Sequence, residues 1–274
     1  MKAGMIGTGN MGEILVNALI DSGAIAASDI SVINRTKEKA LRIQNKHPDI
    51  TVCDQLAELV RSCDLIFICV KPHDIFPLLD TVKEEFTKEK CAVSITSPVS
   101  AAQLESVLSC SCARMIPSIT NKAMSGAVLY TFGDSCSSDW RKVIMDCMMK
   151  FSGYPVEITE DVTRAASDIV SCGPAFMSYL TRQFIEGAAT TGMDKQTAEK
   201  LAEYMLIGLG ELFKKGEYSL AELEEKVCVK GGVTGKGIEV LEKQTGDMFE
   251  NLFKATHEKF AEDKLETSAQ FGIY

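Results

Sequence analysis

A glycine run near the start of the chain constrains its fold more than any other feature. Gly7-Thr8-Gly9-Asn10-Met11-Gly12 has the spacing G-x-G-x-x-G, follows the apolar run Ala3–Ile6 and opens a helical pattern. In this context the first glycine permits a tight turn, the second lets the backbone approach a pyrophosphate, and the third lets helix and strand pack closely. The run predicts a dinucleotide-binding βαβ unit and disfavours the alternative, a structural turn without a ligand.

The residues after the second predicted strand indicate which dinucleotide binds. Proteins that bind NAD commonly have a carboxylate there to hold the ribose, whereas this chain has Asn34-Arg35-Thr36. A carboxylate would repel a 2′-phosphate, but a guanidinium can hold one with two hydrogen bonds and a threonine hydroxyl can donate to it. The alternative is that Arg35 is an ordinary solvated residue. We predict NADP(H) as the cofactor, with NAD(H) as the second choice.

A third segment, Val70-Lys71-Pro72, follows the most apolar of the predicted strands. In a doubly wound sheet, ligands bind outside the carboxyl ends of the strands. This segment is therefore expected to line the nicotinamide half of the cofactor cleft. A plain surface role for Lys71 is an equally good reading of the same residues.

The predicted secondary structure changes near residue 160. Before it, short apolar runs alternate with helical patterns, which is typical of a doubly wound α/β domain. The predicted strands are Ala3–Ile6, Ile30–Asn34, Leu65–Val70, Ala92–Ile95, Ala113–Ile116, Ala127–Phe132 and Pro155–Ile158. Several of them are apolar throughout, as expected for strands that are buried on both faces. Residues 1–160 are therefore predicted to form a Rossmann-type domain.

Only helical patterns follow residue 160. One helix is expected to open at Pro174, where a missing N–H costs nothing, and another after Asp194. Ser219 and Glu222 have the spacing of a capping box, and further helices are predicted around Thr234 and Gly246. Residues 161–274 are therefore predicted to form an all-helical domain.

Composition limits the partners of the chain. A net charge of −9 and the lack of a basic run argue against nucleic acid. No apolar stretch approaches the roughly 18 residues of a membrane span, and the N-terminus lacks the apolar core of a signal peptide. We expect a cytoplasmic protein without a membrane partner. The ten cysteines form no C-x-x-C pair, so free thiols are expected and no metal site.

A second glycine-rich segment, Gly231-Gly232-Val233-Thr234, precedes a predicted helix. Two glycines free the backbone to wrap an anion, and the next N–H groups point toward it. The Thr234 hydroxyl would lie in the first turn, where it can donate to a ligand or cap its own backbone. The spacing alone leaves two alternatives open, a substrate site and an ordinary capped turn.

Several motifs together resemble the pyrroline-5-carboxylate reductase family, in the family's order along the whole chain. They are Ile6–Met11, Asn34-Arg35-Thr36, Val70-Lys71-Pro72, Ser94-Ile95, Arg114–Pro117, Gly173–Phe176 and Gly231-Gly232-Val233-Thr234. The last block resembles the family signature G-G-x-T-x-x-G-[ILV]-x-x-L-[DENQK].

The resemblance implies a fold and an activity. Members of this family have a Rossmann domain followed by a helical domain that forms a homodimer, and some assemble further. They reduce the cyclic imine 1-pyrroline-5-carboxylate to L-proline with NADPH. The small-molecule substrate is then expected on Gly231–Thr234, with the Thr234 hydroxyl as the catalytic group that hydrogen-bonds the imine nitrogen.

The chain departs from the common family pattern around the expected substrate site. Thr96-Ser97-Pro98 replaces Ala-Ala-Gly, Ile116–Thr120 replaces Met-Pro-Asn-Thr-Pro, Cys172 replaces a serine, and Val229-Lys230 replaces Ser-Pro. The chain is most similar to the ComER branch, a late-competence paralogue branch of Bacillus-type bacteria. Two hypotheses follow: a reductase of pyrroline-5-carboxylate or a close analogue, and a regulatory protein that binds NADP(H) with weak turnover.

A third class, the β-hydroxyacid dehydrogenases, is disfavoured. That family usually has a catalytic lysine in a glycine-containing helix between its domains. The corresponding predicted helix, Pro174–Gly192, contains Arg182 but no lysine.

Overall fold

The short apolar runs form strands in the computed structural model, which describes residues 1–273. The strands are β1 (Ala3–Ile6), β2 (Ile30–Ile33), β3 (Thr51–Val52), β4 (Leu65–Ile68), β5 (Cys91–Ser94), β6 (Ser111–Ile116), β7 (Ala127–Phe132) and β8 (Tyr154–Glu157). The described residues form a sheet in the order β3-β2-β1-β4-β5-β6-β7-β8. Pairing is parallel except between β6 and β7. All seven predicted strands are present within two residues, and the predicted doubly wound fold is confirmed.

Helices cover both faces of this sheet. They are α1 (Asn10–Asp21), α2 (Lys37–Lys46), α3 (Leu56–Ser62), α4 (Pro72–Asp80), α5 (Ala101–Glu105), α6 (Ser138–Phe151) and α7 (Thr163–Ser167). In β4, Leu65 and Phe67 pack with α1 and α6, while Ile66 and Ile68 pack with α3, α4 and α5. Burial on both faces explains why β4 is apolar at every position.

The remaining helices confirm the all-helical character predicted for the last third of the chain. They are α8 (Gly173–Ala189), α9 (Lys195–Lys215), α10 (Leu220–Val227), α11 (Val233–Thr245) and α12 (Met248–Phe271). Asp194 caps α9 through the Thr197 N–H, and Ser219 with Glu222 forms the predicted capping box of α10. Within residues 1–273, each helix is too short or too polar to cross a bilayer.

Pro174 does not open a helix as predicted. It is the second residue of α8, which continues from α7 through a π-helical turn at Asp168–Cys172. In an α-helix, residue 174 would donate to the Val170 carbonyl, and proline has no N–H to do so. The Ser118 hydroxyl donates to that carbonyl instead, at 2.7 Å. A partner from a distant loop thus lets the helix run past its proline.

The chain divides into two compact units at positions other than the predicted boundary. The first holds Met1–Pro174 and the described residues from Ala255 on, and the second is Ala175–Lys254. The end of α12 belongs to the first unit because the Gln270 amide donates to the His73 carbonyl and the rings of Phe271 and Phe76 pack edge to face. The division into 1–160 and 161–274 remains a prediction, and residue 274 lies outside the described residues.

Candidate active site

The glycine turn between β1 and α1 is shaped by two close backbone approaches. Gly7 has a φ of +99°, and a Cβ there would lie 2.6 Å from the Cys69 carbonyl oxygen, just beyond β4. A Cβ on Gly12 would lie 2.3 Å from the Gly7 carbonyl oxygen. A Cβ on Gly9 would meet no described atom within 4 Å, and Gly9 lines an open cleft. The turn therefore leaves its open side where a pyrophosphate would approach.

Asn34 joins the turns that follow β1 and β2. Its Oδ1 accepts from the Thr8 N–H at 2.9 Å, and its Nδ2 donates to the Thr36 carbonyl at 2.9 Å. The Gly7 N–H also donates to the Ile33 carbonyl at 2.9 Å. The Asn34 side chain thus holds the two turns together at the edge of the cleft that Arg35 and Thr36 also line.

The cleft brings together most of the predicted cofactor-binding residues. Its volume is about 460 Å³, and its lining includes Gly7, Gly9, Asn34, Arg35, Thr36, Val70 and Lys71. Thr8, Asn10, Met11 and Pro72 do not line it. Thr8 is buried beneath the turn, Asn10 is the exposed first residue of α1, and Met11 packs partly against the core. Pro72 lines a neighbouring cavity.

The electrostatics of the cleft suit a phosphorylated ligand. Arg35, Lys39 and Lys71 line it against a single carboxylate among the described lining residues, Asp74. This local excess of positive charge contrasts with the net charge of −9. Sequence reasoning missed Lys39. Its spacing three residues after Thr36, the N-cap of α2, was the available indication, because residues three apart share a helix face.

The N-terminus of α1 also fits a bound dinucleotide. No side chain caps α1 in the described part of the chain, so the first-turn N–H groups are available at the turn. An anion at this helix end would take up donors that the chain leaves unpaired.

The loop after β5 is held by a buried arginine of β6. Arg114 is 1 % exposed; its guanidinium donates to the Ser97 carbonyl and to the hydroxyls of Thr131 and Thr163, and pairs with Glu160 at 2.7 Å. Burial lowers the pKa of Arg114, and the Glu160 carboxylate opposes that shift. Strand β6, strand β7 and helix α7 thus fix the position of the Thr96–Pro98 loop.

Cys172 is a half-buried free thiol that accepts from the Arg164 guanidinium. Burial raises its pKa, although the neighbouring Arg164 opposes the shift. The cysteines of the described chain are unpaired, and no group of three potential ligands among residues 1–273 could hold a metal ion.

The Gly231–Thr234 turn lies in the second unit and has the predicted local structure. Gly231 has a φ of +77°, and Gly232 is the N-cap of α11 without a side-chain cap from the described residues. A Cβ on Gly232 would lie 2.8 Å from Val229 Cγ2. Thr234 is the second residue of the helix and half-buried. The helix end thus keeps N–H groups available for an anion.

Both parts of the chain match models of known families. Residues 160–263 match pyrroline-5-carboxylate reductase dimerisation, and residues 2–98 match the NADP oxidoreductase, coenzyme F420-dependent model.

Relatives and solved structures extend over the whole chain. ComE operon protein 4 of Bacillus subtilis is 48% identical over all 274 residues and all of its own length. Pyrroline-5-carboxylate reductase of Staphylococcus aureus is 25% identical, covering 96% of this chain and 97% of the relative. Pyrroline carboxylate reductase of Plasmodium falciparum, solved with NADP bound, superposes with a TM-score of 0.83 at 22% identity, covering 98% of each chain. The Coxiella burnetii pyrroline-5-carboxylate reductase gives 0.82 at 24%, covering 97% of this chain and 98% of the other.

The fold and the cleft define an NAD(P)H-dependent oxidoreductase of the NADP class, which confirms the predicted class of enzyme and cofactor. The chain belongs to the pyrroline-5-carboxylate reductase family. Its similarity to ComE operon protein 4 confirms the predicted branch within that family.

Proposed function

We propose that the protein reduces 1-pyrroline-5-carboxylate to L-proline with NADPH. The observation that carries the proposal is the cation-rich cleft at an intact glycine turn, in a chain of this family. Arg35 and Lys39 would hold the 2′-phosphate, the N-terminus of α1 the pyrophosphate, and Val70 and Lys71 the nicotinamide side. The turn at Gly231–Thr234 would bind the substrate carboxylate.

For this reaction the chain mainly has to position the substrate against the cofactor and to hydrogen-bond the imine. NADPH supplies the hydride that converts the C=N bond to C–N, so the imine carbon must be held near the nicotinamide. The imine nitrogen must be hydrogen-bonded or protonated so that negative charge does not develop on it. The neutral Thr234 hydroxyl is a poor acid. Its proposed role is therefore to orient the nitrogen and donate a hydrogen bond, with water as the source of the proton.

A second candidate is a regulatory paralogue that binds NADP(H) with weak or no turnover. It is favoured by the substitutions at Thr96–Pro98 and Cys172, which change the polar groups of the substrate region, and by the similarity to ComE operon protein 4. The two candidates share the cofactor cleft and differ in the substrate region. Turnover distinguishes them.

We also propose that the protein forms a homodimer through the helical region. Dimers could assemble further into a larger oligomer. The matched dimerisation range supports the homodimer, and so do large exposed apolar side chains on α8 and α9. They include Phe184, Leu201, Tyr204, Met205 and Ile207. Large apolar side chains exposed in such numbers are typical of an interface in soluble proteins. The cytoplasmic location remains a prediction from the sequence.

The test is NADPH oxidation with pyrroline-5-carboxylate, followed by absorbance, on wild type and Thr234→Ala. We expect wild-type turnover, and in the variant a kcat/KM lower by about tenfold to a hundredfold, the size of one lost hydrogen bond in the transition state. NADPH affinity, measured by fluorescence, should not change.

Thr245→Ala is the matched control, because this hydroxyl caps only the Leu241 carbonyl of the same helix. Full activity in Thr234→Ala would remove Thr234 from the mechanism. NADPH binding without turnover in the wild type, across a broad pH range, would exclude the reductase and leave the regulatory candidate.

A further inference from the structure

Four of the ten cysteines lie together at the end of the sheet that is opposite the cofactor cleft. They are Cys91, Cys110, Cys112 and Cys136. The cleft lies at the carboxyl ends of the strands, whereas Cys91 is the first residue of β5 and Cys112 is the second residue of β6. All four residues are buried, and their thiols are free. No group of three side chains among residues 1–273 could hold a metal ion, so the chemistry open to this cluster is that of thiols.

The cluster divides into two pairs. Cys91 packs on the face of the sheet that α1 and α6 cover, whereas Cys110 and Cys112 pack on the opposite face with α3, α4 and α5. The Cys91 thiol hydrogen-bonds with that of Cys136, and the Cys110 thiol with that of Cys112. Cys91 and Cys136 belong to different elements, so a bond between them would join parts of the chain that are distant in sequence.

Backbone pairing and one serine bring Cys136 to Cys91. In the register of β5 and β6, Cys91 lies directly opposite Ser111. The Ser111 hydroxyl accepts from the Ser137 N–H at 3.1 Å. Because neighbouring strands are only about 4.8 Å apart, Cys136, the residue before Ser137, comes alongside Cys91. The two thiols are therefore neighbours in the folded protein.

The surroundings of Cys136 favour its thiolate. Arg141 donates from Nε to the Cys136 carbonyl and from Nη2 to the Gly133 carbonyl, both at 2.9 Å. Cys136 also lies just before the N-cap of α6, at the positive end of a 14-residue helix. The hydrogen bond from Cys91 lowers the pKa of Cys136, burial opposes that shift, and the charge of Arg141 lowers the pKa further. The same hydrogen bond and burial raise the pKa of Cys91. Cys136 is thus the nucleophile of the pair.

We propose that Cys91 and Cys136 form a reversible disulfide when the folded protein meets hydrogen peroxide. Cys136 is 5% exposed and Cys91 is 0% exposed, so the oxidant has to be small. The bond would tie the start of β5 to the start of α6. This modification site is separate from the cofactor cleft, and it does not depend on the proposed function.

The chemistry needs only the two thiols and one molecule of peroxide. The Cys136 thiolate attacks a peroxide oxygen, the O–O bond breaks, hydroxide leaves, and Cys136 becomes a sulfenic acid. The Cys91 sulfur then attacks the Cys136 sulfur, so that the S–S bond forms and the S–O bond breaks. The departing oxygen leaves as water with the Cys91 proton. Two thiols are oxidised by two electrons in total, and peroxide is reduced to two molecules of water.

Peptide mapping of the full chain tests the proposal. The native protein is treated with hydrogen peroxide, blocked with N-ethylmaleimide, digested with trypsin and glutamyl endopeptidase, and analysed by mass spectrometry. Cleavage after Glu105 separates Cys91 from Cys110 and Cys112, which otherwise share one tryptic peptide. We expect a peptide pair that joins Cys91 to Cys136 and separates on addition of dithiothreitol. Absence of this pair, or a bond between Cys110 and Cys112 in its place, would overturn the proposal.

Substitutions assign the two roles. Cys136→Ser should abolish the cross-link, and Cys91→Ser should halt the reaction at a Cys136 sulfenic acid that dimedone traps. Cys91→Ala serves if the serine variant does not fold, because Cys91 packs among apolar side chains.

Cys147→Ser is the matched control. Cys147 is also a buried thiol near the same sheet face, on α6, and burial raises its pKa to about 11. This variant should form the Cys91–Cys136 bond at the wild-type rate. In wild type, dimedone labelling of Cys147 as fast as oxidation of Cys136 would show that the thiols react through unfolding, and would overturn the proposal. Because the readout is a mass and not turnover, the result is independent of whether pyrroline-5-carboxylate is a substrate.

Discussion

At the scale of single residues, we expect the preference for NADP over NAD to depend on two cations. Arg35 is the second residue after β2, Lys39 lies in the first turn of α2, and both line the cleft. A guanidinium and an ammonium bind the 2′-phosphate of NADP through charge-assisted hydrogen bonds. NAD has a neutral hydroxyl at the same position and offers no such bonds. Cofactor choice is therefore expected to be set by charge.

Arg35→Ala should raise the KM for NADPH by about tenfold or more, the effect of one lost charge-assisted hydrogen bond, and leave the KM for NADH nearly unchanged. Steady-state kinetics with both cofactors measures this difference. Arg42→Ala is the control, since Arg42 lies on the following helix, α2, and pairs at the surface with Glu13. Equal effects on both cofactors would show that Arg35 does not recognise the 2′-phosphate.

The residues fixed by long-range contacts could not be predicted from the sequence. The glycine spacing and the lack of an acidic residue after β2 could be recognised in the sequence, because each depends only on residues that are close together in the chain. Asn34 was predicted to bind the cofactor and lines the cleft, but its bond to Thr8, 26 residues away, could not be read from the sequence. Arg114 was visible as part of a motif, but its burial and its contacts with Ser97 and Thr163 follow only from the packed sheet.

At the scale of elements, two glycines at the junction of β1 and α1 are needed for different reasons. Gly12 is needed because a side chain would collide with the Gly7 carbonyl, while Gly9 is needed only if a ligand approaches. The first requirement belongs to packing and the second to function. Substitution by alanine distinguishes them.

Gly12→Ala should lower the free energy of unfolding of the cofactor-free protein by about 1–3 kcal/mol, the usual cost of overpacking, and also weaken NADPH binding. Gly9→Ala should leave that free energy within about 0.5 kcal/mol of wild type while losing NADPH affinity. Urea unfolding and fluorescence titration measure the two quantities. An unchanged NADPH affinity in Gly9→Ala would mean that no pyrophosphate lies on this turn.

The elements themselves were largely predictable. Continuous apolar runs identified the buried strands, and caps such as Asp194 and Ser219 marked helix starts correctly. Strand β3 was missed because two residues carry no periodicity. The entry into α8 was misjudged because the partner of the Val170 carbonyl, Ser118, is 52 residues away. Sequence patterns within one helix do not indicate a hydrogen-bond donor that comes from a distant loop.

At the scale of the whole molecule, assembly is the property most open to test. Ile207 on α9 is 60% exposed, as are other large apolar side chains of the helical unit. Ile207→Asp should shift the protein from dimer toward monomer, because a carboxylate buried in an apolar interface is not compensated. Light scattering across a range of concentrations measures the shift.

Leu41→Asp is the control for that experiment, because Leu41 is an exposed apolar residue on α2 of the first unit. It should leave the mass unchanged. A dimer in Ile207→Asp as stable as the wild-type dimer would show that this face of α9 is not part of the interface.

The return of α12 to the first unit has a consequence for how the protein is made. Gln270 bonds the backbone of His73, and Phe271 packs on Phe76, in the helix that begins at the cofactor loop. Thr267 and Ser268 likewise contact Pro98 and Gln103. During translation, the nucleotide-binding half must therefore leave the ribosome with part of its surface uncovered, and that surface is covered only when residues 267–271 emerge. A stop codon before them would remove contacts from α4, a helix encoded almost two hundred codons earlier.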